Sequence, residues 1–160
     1  MSEQVLSQAV LDGIEKEVAK YPPDRKQSAV MAALRLVQDE NNWIPRESMD
    51  AIADVLGMQP IQVYEVATFY SMYRLKDSGN HQIKVCTNVS CMLCGSADIV
   101  SHLENKLNIK LGQTTDDGKF TLTEVECLGA CGGAPMLQLN RDYHENLTPE
   151  TIDALLEGLD

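Results

Sequence analysis

Residues 81–94 of this 160-residue chain have the sequence HQIKVCTNVSCMLC, in which a short strand pattern leads directly into a cysteine loop. Ile83 and Val85 alternate with polar residues, as expected for a β-strand with one buried face. Cys86 and Cys91 come next along the chain. Loops that are held at the end of a rigid sheet are a common place for metal ligands. The stretch therefore predicts an α/β domain with a reactive site at the end of its first strand.

A second cysteine cluster lies in the sequence CLGACGGAP, at residues 127–135. It also follows a strand-like segment, in which Phe120 and Leu122 alternate with threonines. Because two loops that leave adjacent strands can converge, we expect both clusters to contribute to one site. Small residues in the second loop would let backbone N–H groups approach a metal cluster without a Cβ in the way; these are Gly129, Gly132 and Gly133.

The elements around these loops follow the order of a small α/β layer. Ser96 is predicted to cap a helix that ends near Leu107, and Asp117-Gly118 indicates a turn before the second strand. Residues 136–139 are predicted to form a third strand, and Thr148-Pro149 to open a last helix. The order of strand, helix, two strands and helix is typical of a layered α/β domain.

The first half of the chain has the period of helices instead. Four amphipathic stripes are predicted, and we expect them to form the core of a helical bundle: Leu6, Val10, Ile14 and Val18; Val30, Leu34 and Val37; Met49, Ile52, Val55 and Leu56; Ile61, Val66, Phe69 and Tyr73. The polar segment KDSGN at residues 76–80 interrupts the pattern. We therefore predict a helical domain over residues 1–78 and an α/β domain over residues 79–160.

Composition excludes several classes of function. The net charge is −11, so the chain lacks the basic surface that nucleic-acid binding requires. No segment approaches the roughly 18 apolar residues of a membrane span, and the N-terminus lacks the pattern of a secretory signal. We therefore expect a cytoplasmic protein. In that setting five cysteines indicate metal or redox chemistry and not a disulfide framework.

The cysteine spacing alone permits four interpretations. Cys91 and Cys94 could form a thioredoxin-like dithiol, which would leave the other three cysteines unexplained. Paired cysteines also suit structural zinc, the strongest competitor on spacing. A plant-type ferredoxin site would use Cys86, Cys91 and Cys94 with one distant cysteine. The fourth interpretation pairs Cys86 and Cys91 with Cys127 and Cys131 around a 2Fe–2S cluster, with two thiolates for each iron.

Four segments resemble one known family. CTNVSC, CLGACGGAP, NNWIP at residues 41–45 and VATFYSMY at residues 66–73 are similar to the thioredoxin-like 2Fe–2S ferredoxins, and within them to the E chains of NADH:quinone oxidoreductase, respiratory complex I. The resemblance covers nearly the whole chain. It implies an α/β, thioredoxin-like domain after a helical bundle, with a cis peptide bond at Ala134-Pro135. It also implies a cluster held by Cys86, Cys91, Cys127 and Cys131, whereas Cys94 has no counterpart among the ligands.

The resemblance further implies a role within a larger enzyme. It implies an electron-transfer subunit of NADH:quinone oxidoreductase, whose cluster exchanges single electrons with the flavin of a partner. FMN and NADH would be bound by that partner, the F subunit, and the helical half would be a docking platform within the peripheral arm. The chain itself has no G-x-G-x-x-G fingerprint for a dinucleotide. The complex would place it on the cytoplasmic side of the inner membrane.

Two alternatives stay open at this point. The same module would suit the equivalent 2Fe–2S subunit of a soluble NAD-linked hydrogenase or formate dehydrogenase. A zinc-stabilised adaptor without a redox role is the alternative from another class of function.

Overall fold

The computed structural model describes residues 5–159, and the chain divides into two compact units, Met1–Asp77 and Ser78–Asp160. The described part of unit 1 is helical. Its elements are α1 (Gln8–Val18), a 3-10 helix (Pro23–Ala29), α2 (Val30–Asn41), α3 (Arg46–Leu56) and α4 (Pro60–Phe69). The fold class expected from the sequence, helices followed by an α/β layer, is therefore confirmed.

The core of unit 1 contains most of the predicted apolar stripes. Its largest fully buried side chains are Ile14, Leu34, Val37, Ile44, Ile52 and Leu56. Three predicted core residues are instead exposed, namely Val55, Ile61 and Phe69, of which Phe69 is 80% exposed. For Ile61 and Phe69 the reason is that α4 turns Val63 and Ala67 inward, four residues apart, so that these two residues fall on its outer side. Val55 lies on α3, which buries Ile52 and Leu56 instead. For these three residues the prediction was wrong.

Unit 2 combines a mixed sheet with helices. Its elements are β1 (His81–Cys86), α5 (Val89–Leu93), α6 (Ser96–Leu107), β2 (Gln113–Thr114), β3 (Phe120–Val125), a 3-10 helix (Cys131–Gly133), β4 (Leu137–Leu139), β5 (Asp142–His144) and α7 (Pro149–Glu157). The sequence missed α5, β2 and β5, which are short elements of two to five residues. It placed Ser96 at the cap of α6, where Gly95 caps the helix and Ser96 is the first helical residue.

The sheet has the strand order β2-β3-β1-β4-β5. Strands β1 and β3 are adjacent and parallel, with Cys86 opposite Val125, and the other neighbouring strands are antiparallel. Because parallel strands point the same way, the loops that follow β1 and β3 leave the same edge of the sheet. The topology thus brings together the two cysteine clusters, which are more than thirty residues apart in sequence.

One apolar core holds the sheet of unit 2 against its two longer helices. The sheet contributes Ile83, Val85, Leu122, Leu137 and Leu139; α6 contributes Ile99 and Leu103; α7 contributes Ile152 and Leu156. Thr148 caps α7 through reciprocal hydrogen bonds with Thr151, as the Thr-Pro pattern predicted. Across residues 5–159, no helix has the length and apolar character needed to cross a membrane.

Gly79, which the sequence pattern marks only as part of a polar break, lies against the backbone of β3. Its N–H donates to Thr121 Oγ1 at 2.7 Å, and a Cβ added at Gly79 would meet the backbone C and N of Phe120 at 2.8 and 2.9 Å. We expect Gly79→Ala to lower the free energy of unfolding of unit 2 by about 1–3 kcal/mol, because backbone atoms must move apart. A urea titration, monitored by hydrogen exchange in peptides from residues 78–160, measures this change in the free energy of unfolding.

Gly158→Ala is the matched control, because a Cβ at Gly158 would come no closer than 3.7 Å to another atom. We expect this variant to stay within about 0.5 kcal/mol of the parent chain. An equal effect of the two substitutions would contradict the role assigned to Gly79.

Candidate metal centre

The two cysteine loops begin where β1 and β3 end. Cys86 is the last residue of β1, and its N–H donates to the carbonyl of Met136 at 3.2 Å. Thr87 N–H in turn donates to the carbonyl of Val125, the last residue of β3, at 3.3 Å. These backbone bonds fix the start of the first loop to both neighbouring strands. Cys86 is therefore held by the sheet, and the first loop starts from a fixed position.

The first loop buries two of its thiols. Asn88 caps α5 by accepting the N–H of Val89 at 2.7 Å, and Cys91 lies in this short helix. Cys86 is 2% exposed and Cys91 is 1% exposed, and both pack with buried Met136 in a small apolar cluster. Cys94, the residue after α5, is exposed. Burial in apolar surroundings removes the first two thiols from water.

The thiols of both loops face one another. The Cys86 thiol donates to the backbone carbonyl of Glu126, at the start of the other loop, at 3.8 Å. The side chains of Cys91, in its own loop, and of Cys127, in the other loop, are close enough to lower the pKa of Cys86. Cys131 is close enough to act electrostatically on Cys91. Interactions among the thiols thus link Cys86, Cys91, Cys127 and Cys131, the four residues that the family resemblance implies as ligands, and their ligand role stays a prediction. Cys94 takes no part in these interactions among the thiols.

The Cys86 thiol has a pKa below its ordinary value. Burial alone would raise this pKa, but backbone N–H groups of Asn88 and Leu128 donate hydrogen bonds to the sulfur. The side chains of Cys91 and Cys127 lower this pKa as well. Because all these donors stabilise the thiolate, the net pKa shift is downward. The surroundings of Cys86 therefore favour the thiolate form of its side chain although the residue is buried.

The Cys91 thiol has the opposite shift, with its pKa raised to about 11. Burial is the largest cause, and the hydrogen bond that the Cys91 thiol makes to the Cys86 sulfur is the next. The N–H of Met136 opposes this shift by donating to the Cys91 sulfur. To act as a ligand Cys91 would have to lose its proton, since thiols bind metals as thiolates.

Backbone N–H groups surround the sulfurs of the site. Asn88 and Leu128 donate to Cys86, Met136 donates to Cys91, and Gly129 donates to Cys127 Sγ at 3.3 Å. Sequence reasoning anticipated such donors near the glycines but not at Leu128 or Met136. No residue type marks a backbone donor, because every residue except proline has one. Only the path of the loops determines which N–H groups reach the sulfurs.

The second loop is braced by the segment after β5. Asn146 N–H donates to the carbonyl of Gly133 at 2.7 Å, and Leu147 N–H donates to the carbonyl of Pro135 at 3.0 Å. Gly133 has no room for a side chain, since a Cβ there would lie 2.6 Å from Glu145 Cβ. The neighbour that requires glycine at position 133 is thus Glu145, and the approach of the loop glycines to a cluster stays a prediction. The Ala134-Pro135 peptide bond is cis, as predicted.

The donor set fits a 2Fe–2S cluster. Such a cluster takes four thiolates, two on each iron, and hydrogen bonds to its sulfurs. The two loops supply four facing thiols and four backbone N–H donors. Within residues 5–159, no group of three or more His, Cys, Asp or Glu side chains is arranged to hold a single metal ion.

An α/β layer with facing cysteine loops at the ends of adjacent parallel strands defines a class, the iron–sulfur proteins of thioredoxin-like fold. A family model described as thioredoxin-like 2Fe–2S ferredoxin matches residues 14–160, and the chain belongs to that family. Its cofactor is accordingly a 2Fe–2S cluster.

Two curated relatives are similar over most of their length. The chain is 49% identical over 144 residues to the E subunit of the NADH-quinone oxidoreductase of Rickettsia felis, a match that covers 89% of this chain and 86% of the relative. It is 48% identical over 145 residues to the E subunit numbered 2 of the NADH-quinone oxidoreductase of Rhizobium meliloti, covering 91% of this chain and 85% of the relative.

A solved structure is similar in fold. It is a chain of an NAD+-reducing NiFe hydrogenase in the air-oxidized state, with a TM-score of 0.71 and 23% sequence identity. The match covers 81% of this chain but spans only 22% of the hydrogenase chain. At this level of identity the likeness concerns the fold alone.

Proposed function

We propose that this chain is the electron-transfer subunit of an NADH:quinone oxidoreductase and works as part of that oxidoreductase complex. The observation that carries the proposal is the set of facing thiols at the ends of β1 and β3, surrounded by N–H donors. The two curated relatives, which are named as E subunits of this enzyme and match over most of their length, support the choice of complex.

The ligands in this proposal are Cys86, Cys91, Cys127 and Cys131. When bound, the 2Fe–2S cluster supplies a centre that accepts and releases one electron at a time. The four cysteines would hold this centre, Met136 and the buried thiols would exclude water beside it, and backbone N–H groups would donate to the ligand sulfurs. Cys94 has no ligand role in the proposal, because the electrostatic and hydrogen-bond effects on the Cys86 and Cys91 thiols come from Cys127 and Cys131 and not from Cys94.

The partner in this proposal is the F subunit, which binds FMN and NADH. The α5 rim, formed by the exposed apolar residues Val89, Met92 and Leu93, lies beside Cys91 and would suit a protein contact. An electron must pass between flavin and cluster over a short distance. The partner that carries the flavin would therefore have to bind close to the cysteines, where the α5 rim lies. Residues 79–160 would form the cluster domain.

The helical domain over residues 1–78 is proposed to dock the chain in the peripheral arm. Large apolar side chains are exposed on and just after α4, where a partner could cover them; they are Ile61, Phe69 and Met72. The chain would then lie on the cytoplasmic side of the inner membrane through its partners, as a peripheral component of the complex.

A second candidate is the equivalent subunit of a soluble NAD-linked hydrogenase or formate dehydrogenase. The observation in its favour is the likeness of fold to a chain of an NAD+-reducing NiFe hydrogenase. The relatives named as E subunits of NADH-quinone oxidoreductase are twice as similar in sequence, so they favour the respiratory complex.

Isolation of the tagged chain from its host, under native conditions, tests the proposal. We expect iron and labile sulfide in equal amounts, an EPR signal on reduction, and co-purification with an NADH-oxidising flavoprotein and other chains of a quinone reductase. Co-purification with hydrogenase or formate dehydrogenase chains would select the second candidate. Zinc without iron or sulfide would contradict both and leave the zinc-stabilised adaptor. The separated chain should not oxidise NADH by itself.

A further inference from the structure

Tyr143 reaches from β5 to the second cysteine loop. Its hydroxyl donates to the backbone carbonyl of Leu128 at 2.9 Å, fifteen residues earlier in the chain. β5 pairs with β4 in the sheet, and Tyr143 lies opposite Gln138, so the base of this side chain is anchored. The ring is 49% exposed, and the hydroxyl therefore acts on the loop from its outer side.

The Leu128 carbonyl belongs to the same peptide group as the N–H of Gly129. A peptide group is planar and trans, so its N–H and its carbonyl point in opposite directions. In this peptide the carbonyl points to Tyr143, and the N–H donates to Cys127 Sγ at 3.3 Å. The Tyr143 hydroxyl and the Cys127 sulfur are thus hydrogen-bonded to opposite ends of the same peptide group.

Packing does little to fix that plane. Gly129 has a φ of +77°, a conformation that glycine adopts easily, and a Cβ added there would meet no atom within 4 Å. A glycine peptide in open space can rotate at low cost. On the Gly129 side, two hydrogen bonds therefore orient the plane: the one from Tyr143 holds the carbonyl outward, and the one to Cys127 Sγ holds the N–H inward.

We propose that Tyr143 is a positioning residue that sets the reduction potential of the 2Fe–2S cluster through the Leu128–Gly129 peptide. The inference rests on the proposed function, in which Cys127 is a cluster ligand. Hydrogen bonds to cluster sulfurs stabilise the more negative, reduced state and so raise the potential. A donor on the carbonyl also polarises the amide, which strengthens its N–H as a donor.

The test is a redox titration of the cluster-loaded full chain in which Tyr143→Phe removes only the hydroxyl. Dithionite supplies the single electron that the cluster takes up, and no bond of the protein forms or breaks. We expect an unchanged iron content and a reduced state that is roughly threefold to tenfold less favoured. For a one-electron couple this corresponds to a potential about 30–60 mV lower. Electron–nuclear double resonance after exchange into deuterium oxide should show a weaker exchangeable-proton coupling.

Tyr143→3-fluorotyrosine separates donor strength from structure. Its more acidic hydroxyl is a stronger donor, so the potential should move upward when measured below the phenol pKa. Tyr21→Phe is the matched control, since it removes the hydroxyl of another exposed tyrosine and should leave the potential unchanged.

Three other results would contradict the proposal, and they can be told apart. An intact cluster with the parent potential in Tyr143→Phe would end the positioning role while leaving the proposed function untouched. Loss of the cluster in that variant would make Tyr143 a structural residue. A parent chain that takes up no iron and sulfide would remove the proposed function, and this inference with it.

Discussion

Cys91→Ser is expected to abolish the 2Fe–2S cluster or to perturb it severely. Cys91 is buried, its thiol is hydrogen-bonded to Cys86, and the N–H of Met136 points at its sulfur. A serine hydroxyl gives up its proton far less readily than a thiol and is a poor ligand for iron. Iron and labile sulfide per chain, the visible absorption spectrum and the EPR signal of the reduced protein measure the loss.

Cys94→Ser is the matched control, made only three residues away. Cys94 follows α5 and takes no part in the interactions of Cys86 and Cys91 with Cys127 and Cys131, so we expect this variant to retain the cluster with the parent spectrum. The pair of variants also discriminates between ligand sets. Loss of the cluster in Cys94→Ser would indicate the plant-type set of Cys86, Cys91 and Cys94 and would contradict the proposed one.

Leu122→Ala is expected to lower the free energy of unfolding of unit 2 by about 2–5 kcal/mol. Leu122 is fully buried in β3, opposite Ile83 of β1 and Gln113 of β2, within the core shared with α6 and α7. The substitution leaves a cavity in the core on one face of the sheet, next to the strand pair whose ends hold the cysteine loops. Urea unfolding, followed by hydrogen exchange of peptides from residues 78–160, measures the change.

Leu93→Ala is the matched control for Leu122→Ala, because it makes the same chemical change at an exposed position. Leu93 is 79% exposed on α5, so its truncation removes almost no buried surface. We expect a change within about 0.5 kcal/mol. If both leucine variants lost similar stability, the packing of β1 against β3 would not be the source of the effect.

Strands and helices with strong patterns were predictable from the sequence. The alternation around Ile83 and Val85, the turn at Asp117-Gly118 and the cap at Thr148 are local features, and the structure confirms each of them. Local features are readable because backbone geometry and side-chain spacing decide them within a few residues. The cis bond before Pro135 was implied by resemblance to the family and is also confirmed.

Short elements and the choice of buried face were not predictable in the same way. α5 has five residues, too few for a period to show, and α4 buries Val63 and Ala67 instead of its larger residues Ile61 and Phe69. Two faces of α4 carry apolar residues, so packing against neighbouring helices decides which of them is inside. The outer face is the one that the proposed docking would cover.

The cysteine site has some properties that the sequence determines and others that only the tertiary structure determines. Residue types and spacing determined two thiol-bearing loops, each after a strand, together with an acidic chain that excludes nucleic acid. Only the parallel pairing of β1 with β3 decided that the loops face one another, because strand order is set by contacts between distant residues. The same contacts decided that Leu128, Gly129 and Met136 present their N–H groups to sulfur and that Tyr143 holds one of those peptides. A backbone donor is common to nearly every residue, and only the folded path of the chain gives it a direction.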